Sequence, residues 1–457
     1  MKDLQSSDAL VFFGATGDLA YKKIFPALMN LLKHGKLNMP VIGVAKSDWN
    51  RAQLLERARN SLQEYGGGVS ENDFAAFAQH LDYVDGDYAD AATFNQVKEK
   101  LGNAKSPTHY MAIPPFLFGN TVQQLGRAGL AENARVIIEK PFGHNRASAQ
   151  ALNATIQAVF PEEAIYRIDH FLGKEAVENI IAFRFTNTFL EPIWNRHYVH
   201  HVVITMAEDF GITGRGKFYD ATGAIRDVLE NHLFQIVSLL AMEPPATLGA
   251  ESLHDEQAKV FRAVKPMKPE QIVRGQFTNY HQEPGVKADS QVETYVAVRF
   301  EIDSWRWYGV PWVIRAGKSL PLTQDEALIT LERPVFVQRD DKRNFVRFRL
   351  GPELSITIGA QEKAPGKGGG VRPVELKATE TASGDEIDAY ARLLGDAMEG
   401  DHTLFVRADM VDAQWAVVEP ILDNATPVYP YEPGTWGPKE ADRLVADLGG
   451  WQNIVKQ

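Results

Sequence analysis

In the first third of the chain, short apolar runs alternate with longer stretches of helical spacing. Ala9–Phe13 reads as a buried strand, followed by a glycine turn and a helix that runs to about Lys33. Pro40–Ala45 predicts a second strand and Trp49–Tyr65 a second helix. Thr108–Ile113 and Arg135–Glu139 predict further strands, with a helix between them near Thr121–Gly129. Strands separated by helices of about ten residues or more imply βαβ units and a parallel sheet. Past about residue 180 the texture changes. Ile180–Thr186, Tyr198–Met206, Val292–Ile302, Leu328–Glu332 and Asn344–Ile358 are strand-like, and fewer helices separate them. Asp220–Ala241, Asp385–Glu399 and Met410–Asp423 read as helices. This second pattern predicts an α+β domain with a mainly antiparallel sheet, beginning near residues 165–180. Segment 362–376, EKAPGKGGGVRPVEL, reads as a glycine-rich loop or hairpin end, most simply a mobile connection.

Composition narrows the class. Of 457 residues, 44% are hydrophobic and 23% charged, the balance of a globular protein. The formal charge of −11 argues against a general binder of nucleic acid or anionic membrane. Without cysteine there is no disulfide, no thiolate nucleophile and no cysteine-ligated metal. The N-terminus carries no secretory pattern, and no apolar run approaches the ~20 residues of a membrane span, so a cytoplasmic protein is expected.

Chemistry concentrates at a few strand ends. Phe13-Gly14-Ala-Thr16-Gly17-Asp18-Leu19-Ala20 follows the first strand and opens the first helix. Gly14 suits a tight turn, Gly17 a close pyrophosphate and Ala20 close helix–strand packing, which together point to a dinucleotide at the helix N-terminus. An NAD site places Asp or Glu at the end of the second strand for the ribose 2′-hydroxyl. Here that strand ends in Lys46-Ser47, a cation and a hydroxyl that suit a 2′-phosphate, so NADP is favoured and NAD remains possible. Glu139-Lys140-Pro-Phe-Gly ends another strand. Lys140 is placed either to hold cofactor or substrate oxygens or to pair with Glu139 at a domain seam. In Asp227–Leu240 an apolar stripe runs through Val228, Leu229, Leu233, Phe234 and Val237, with His232 close to it and Asp227 five residues before. A histidine on such a helix is more often a satisfied core residue than a catalytic one.

Other patterns are decoys. Gly317-Lys318-Ser319 ends like a P-loop, but Trp312 stands where the required glycine should be. His197, His200 and His201 lack a supporting carboxylate pattern, and no metal site is expected. Trp305, Trp307, Tyr308 and Trp312 read as core.

Taken together, GATGDLAYKK, EKPFG, RIDHFLGKE, RDVLENHLFQ, RWYGVPWVIRAGKSL and YEPGTWGP resemble the glucose-6-phosphate dehydrogenase family, in the family's order and over nearly the whole chain. The resemblance implies a Rossmann-like α/β N-terminal domain over residues 1–175 that binds NADP. It implies an α+β C-terminal domain over 176–457, whose large, mainly antiparallel sheet serves substrate binding and dimerisation. It also implies a homodimer or homotetramer with a small sugar phosphate as substrate, oxidised at C1 to the lactone. On it, His232 is the general base and Asp169 orients its imidazole. His170 and Lys174 grip the phosphate, and if the middle of RIDHFLGKE is helical these two share one face. Glu208 and Asp227 accept from sugar hydroxyls, and Lys318 and Lys140 contact substrate and cofactor. Gly14, Thr16, Gly17, Asp18, Leu19 and Lys46 hold the dinucleotide. The chain departs from the family pattern at Phe171, where tyrosine is usual, at Leu322 and Thr323, where a basic residue is usual, and at Gln324. Either another residue such as Arg215 compensates, or glucose 6-phosphate binds weakly, or the substrate is an aldose derivative differing at C6. An inactive dinucleotide-binding homologue is the remaining alternative.

Overall fold

The computed structural model describes residues 6–335, 343–365, 370–379 and 388–455. It divides into two compact units. The first comprises Met1–Lys174, Ala246–His254 and Gly384–Asp412; the second comprises Glu175–Pro245, Asp255–Ser383 and Ala413–Gln457. No described helix is long and apolar enough to cross a membrane.

In the first unit β1 (Ala9–Phe13), β2 (Val41–Ala45), β3 (Leu81–Asp85), β4 (Pro107–Met111), β5 (Arg135–Glu139) and β6 (Ile165–Ile168) form one sheet. Its order is β3-β2-β1-β4-β5-β6 and every pairing is parallel. This is the doubly wound, Rossmann-like arrangement, whose strand order reverses between β1 and β4. Ligands bind outside the carboxyl ends of the strands at that reversal. β1, β2 and β5 are buried at every position, as a parallel sheet covered on both faces requires. The helix Arg51–Glu64 starts where Asn50 and Gln53 exchange side-chain and backbone hydrogen bonds, a capping box. The helix Ala389–Glu399, far along the chain, packs on the helix Phe25–Lys33 and on β5.

In the second unit nine strands form one sheet: β7 (Val199–Ala207), β8 (Ile272–Phe277), β9 (Tyr295–Phe300), β10 (Trp312–Gly317), β11 (Gln324–Leu331), β12 (Phe345–Gly351), β13 (Leu354–Lys363), β14 (Val371–Thr379) and β15 (Val428–Tyr431). Its order is β14-β13-β12-β11-β7-β10-β9-β8-β15. Only the β7–β10 and β8–β15 pairings are parallel. One core cluster joins Ala207, Tyr219, Phe277, Tyr295 and Leu322.

Four local expectations change. Ile180–Thr186, expected as a strand for its β-branched and aromatic content, lies in the helix Glu175–Thr186. That helix buries Ala176, Val177, Ile180 and Arg184, a helical rather than alternating spacing. Asn344–Ile358 is not one strand but the hairpin β12–β13, broken at Gly351-Pro352, a turn dipeptide. Residues 170–173 form a turn rather than a helix. Within the aromatic cluster Trp307 and Trp312 are buried, while Trp305 and Tyr308 are exposed. Of segment 362–376, β13 and β14 pair up to Lys363 opposite Val371, a hairpin end, and residues 366–369 lie outside those described.

Candidate active site

In the first unit, β1 runs into the turn Gly14–Gly17, and a helix starts at Asp18 and Leu19 and continues through a π-helical stretch, Ala20–Ile24, to Lys33. Gly14 has φ +91°, and a Cβ there would lie 2.1 Å from the carbonyl oxygen of Ala112, so only glycine fits. Its N–H donates to Val44 O at 2.8 Å, and Gly17 N–H donates to Gly14 O at 2.9 Å. The turn therefore delivers a helix N-terminus to the carboxyl edge beside β4, where backbone N–H groups suit a pyrophosphate.

β2 and β3 pair with Ala45 opposite Asp85, so the segments leaving the two strands run side by side. Lys46 Nζ lies 2.8 Å from Asp87 Oδ2. The hydrogen bond to Asp87 holds the Lys46 ammonium above its usual range, and the same bond holds the Asp87 carboxyl below its own. Asp85 Oδ1 accepts from Ser47 N–H at 3.0 Å, and the Ser47 and Thr16 hydroxyls are 2.7 Å apart. The Arg57 guanidinium lies over the Tyr21 ring, 4.6 Å from its centroid.

β5 and β6 place acids at the same edge. Glu139 is buried and accepts from the Tyr110 hydroxyl at 2.5 Å. Burial pushes its carboxyl up to about 7; the charge of Asp169 adds to the shift, while Tyr110 and Lys140 oppose it. Lys140 follows, half-buried and joined to Pro141 by a cis peptide. Asp169, directly after β6, is buried, and its Oδ1 accepts from Phe171 N–H at 3.0 Å. That bond, with Leu172 N–H to Asp169 O at 3.0 Å, folds the residues into an Asx-type turn instead of a helix. Within the turn the His170 ring stacks on Tyr390 with centroids 6.1 Å apart. The Lys174 ammonium stands over the Phe171 ring, 3.5 Å from its centroid. His170 and Lys174 thus both flank Phe171, although no helix joins them. Burial, then the charges of Glu139 and Asp169, raises the Tyr390 phenol.

In the second unit, β7 and β10 run parallel with Ala207 opposite Gly317. The next residues, Glu208 and Lys318, therefore emerge together and form an ion pair. The turn carrying Lys318 is clamped by the late motif: the Tyr431 hydroxyl donates to Lys318 O at 2.6 Å, and Gly434 N–H donates to Ser319 O at 2.8 Å. His232 lies in a π-helical stretch, Ile225–Leu233, followed by the α-helix Phe234–Ala241. π-turns are rare and recur at functional sites. An α-helix would separate Asp227 from His232 by about 140° around its axis. The i→i+5 bonding of the π-turn brings them toward one face.

This element is fastened at both ends. At its start Glu293, ion-paired with Arg274 at 3.0 Å, accepts from Ile225 N–H at 3.1 Å. At its finish Arg184 donates to Leu239 O and Met242 O at 2.6 and 2.9 Å, and the Trp194 and Trp307 indoles donate to Leu240 O and Ala241 O at 2.8 and 2.7 Å. His232 is buried and Asp227 half-buried. Tyr219 connects the two groups. Burial and then the charges of Asp227 and Glu208 raise its phenol, and the Lys318 ammonium lies 5.8 Å from its ring centroid.

The departures noted in the sequence have structural counterparts. Leu322 is buried in the core cluster, and the Thr323 hydroxyl donates to Asp209 Oδ1 at 2.6 Å. Arg215 is exposed and lies over Phe218. His200 and His201 hydrogen-bond to each other through Nδ1 atoms 2.7 Å apart. Sequence reasoning missed Asp85, Asp87, Tyr219 and Tyr390. The two aspartates could have been found: a βαβ rhythm leaves room for a strand between Tyr65 and Thr108, and LDYVD occupies it.

Two family models match the chain: the glucose-6-phosphate dehydrogenase NAD binding domain over residues 11–179, and the C-terminal domain of the same family over residues 181–452. The glucose-6-phosphate 1-dehydrogenase 1 of Mycobacterium bovis is 42% identical over 457 residues, covering 98% of this chain and 97% of its own length. The glucose-6-phosphate 1-dehydrogenase of Aggregatibacter actinomycetemcomitans is 39% identical, covering 96% of each chain. The crystal structure of the Mycobacterium avium glucose-6-phosphate 1-dehydrogenase superposes with a TM-score of 0.93 at 42% identity, covering 99% of this chain and 100% of that one. A glucose-6-phosphate dehydrogenase in complex with its substrate glucose-6-phosphate superposes with a TM-score of 0.91 at 32% identity, covering all of both chains. The chain belongs to the glucose-6-phosphate dehydrogenase family.

Proposed function

We propose that the protein oxidises D-glucose 6-phosphate at C1 to 6-phospho-D-glucono-1,5-lactone, passing a hydride to NADP. It would act in the cytoplasm as a homodimer or homotetramer, with residues 1–175 serving the dinucleotide and 176–457 the sugar phosphate and dimerisation. The observation that carries this reading is the second unit's fastened π-turn, with buried His232 above Asp227, in the unit that also pairs Glu208 with Lys318.

In the reaction His232 takes the proton of the C1 hydroxyl, while the C1–H bond breaks with its electron pair. Bound NADP supplies the acceptor for that hydride. Asp169 orients the imidazole and stabilises its cation. Glu208 and Asp227 accept from sugar hydroxyls, and Lys318 donates to them. His170 and Lys174 hold the phosphate, and Lys140 contacts substrate and cofactor. Gly14, Thr16, Gly17, Asp18 and Leu19 form the pyrophosphate cradle, and Lys46 meets the 2′-phosphate. The glycine geometry at residue 14 fits this group, because a side chain there is excluded by Ala112.

A second reading, an aldose derivative differing at C6, draws on Phe171 and on the engagement of Leu322 and Thr323 elsewhere. Steady-state turnover of glucose 6-phosphate, glucose and other hexose phosphates, read from the near-ultraviolet absorbance of the reduced cofactor, separates the two. With glucose 6-phosphate, His232→Asn should lose roughly 10²–10⁴-fold in kcat while substrate still binds. Substantial residual turnover in that variant would remove His232 from the role of base.

A further inference from the structure

The residue expected to meet a 2′-phosphate is already held by an anion. We infer that Asp87 sets cofactor preference in this enzyme: by engaging Lys46 it weakens the grip on a 2′-phosphate and lets the same site accept NAD. The inference rests on the reading of Lys46 as the 2′-phosphate residue.

Asp87 is well placed for this. Its Oδ1 accepts from Ala89 N–H at 2.9 Å and its carbonyl accepts from the Thr93 hydroxyl at 2.7 Å, which leaves Oδ2 to Lys46 at 2.8 Å. The fixing bonds come from Ala89, in the loop before the helix Ala91–Leu101, and from Thr93 in that helix's first turn, so Asp87 has a backbone anchor that the lysine stem lacks. Two more carboxylates stand nearby. Asp48, two residues on, sits at φ +54°, and Asp85 holds Ser47 N–H. Of these, the charge of Asp48 adds to that of Asp87 at the Lys46 ammonium. Arg57 is engaged over Tyr21 and donates to Gly17 O at 3.4 Å.

A 2′-phosphate is close to dianionic at neutral pH. To reach Lys46 it must either loosen the Asp87 contact or share the ammonium, whose three donors allow it, and in both cases lie beside that carboxylate. A 2′-hydroxyl meets the opposite situation, since it can donate to Asp87 with Lys46 still in place. Lysine is also a point charge without the bidentate fork of arginine, so it gives the phosphate no geometric advantage. In NAD sites the acceptor for the 2′-hydroxyl ends the second strand. Here the carboxylate reaches the same place from β3, because the parallel pairing sets the end of β3 against the end of β2.

Lys46 is exposed and Asp87 half-buried, so the electrostatic effect is moderate and screened by salt. Initial rates of the full-length enzyme with NADP and with NAD, at saturating glucose 6-phosphate and low ionic strength, test the idea. The wild type should turn over both cofactors. Asp87→Asn should lower KM for NADP about 3- to 10-fold and leave or raise KM for NAD, and Asp87→Ala should shift the preference the same way. The shift should shrink as sodium chloride is added. A wild type inactive with NAD, or Asp87 variants whose NADP:NAD ratio of kcat/KM is unchanged, overturns the inference. Lys46→Met separates it from the reading beneath. If that variant binds NADP as tightly as the wild type, Lys46 is not the 2′-phosphate residue and both fall. If it weakens NADP while the Asp87 variants stay neutral, only the role of Asp87 falls.

Discussion

Glu139→Gln replaces a carboxyl that the fold keeps protonated to near neutrality. Glu139 is 7% exposed, accepts from Tyr110 and stands within the field of Asp169, and its carboxyl is pushed up to about 7, chiefly by burial. In the unfolded chain a glutamate titrates near ~4.3. Between these values the native state holds a proton that the unfolded state has released. Stability from this group therefore falls as pH rises from about 4.3 to about 7, and the loss is complete above that window. At ~1.4 kcal/mol per unit, the shift corresponds to ~4 kcal/mol between the two ends. Glutamine keeps an acceptor for Tyr110 and cannot ionise. Urea denaturation of the wild type and Glu139→Gln, followed by circular dichroism from about pH 5 to about pH 8, should show the variant gaining relative to the wild type by ~2–3 kcal/mol across the range, mostly below about pH 7. Parallel stability curves would refute the reasoning, because they would place the ionisation of Glu139 outside the window.

Two further substitutions test the substrate side. Phe171→Tyr keeps a ring beneath the Lys174 ammonium and adds a hydroxyl, and a hydrogen bond to a charged group contributes ~1.5–3 kcal/mol, so KM for glucose 6-phosphate should fall about tenfold or more. An unchanged KM would argue that this turn does not hold the phosphate. The Tyr219 hydroxyl is buried with no hydrogen-bond partner among the described residues, so Tyr219→Phe should raise stability to denaturant by ~1–3 kcal/mol; a drop would mean that the hydroxyl is satisfied in solution.

Much of this architecture was legible in the chain because it is local. β1 follows from a five-residue apolar run and β5 from Val136–Ile138 between two charged residues, and Gly14 declares its turn through a backbone conformation that other residues avoid. β3 escaped a reading by apolar runs alone, because aspartates at 82 and 85 interrupt it, and only the βαβ spacing points to it; the helix Glu175–Thr186 was hidden behind residues with β preference. The π-turn left no pattern of its own, since the stripe Val228, Leu229, Leu233 reads alike in either winding, yet the winding decides whether Asp227 and His232 face the same way.

The partners of the chemical residues form a third class, set by topology. Lys318 meets Glu208 because β7 and β10 are parallel neighbours in register, and Lys46 meets Asp87 because β2 and β3 are. In both cases a cation leaves one strand end beside an acid leaving the next, and a parallel pairing is what sets two carboxyl ends side by side; an antiparallel one would send them to opposite edges. On the roles proposed above, the same geometry would serve opposite purposes. Beside a sugar, whose hydroxyls both donate and accept, the Glu208–Lys318 pair offers complementary partners. Beside a 2′-phosphate, which only accepts, the acid of the Lys46–Asp87 pair competes with the ligand. On the roles proposed above, a motif that names the lysine alone would describe sugar recognition well and overstate the preference for NADP.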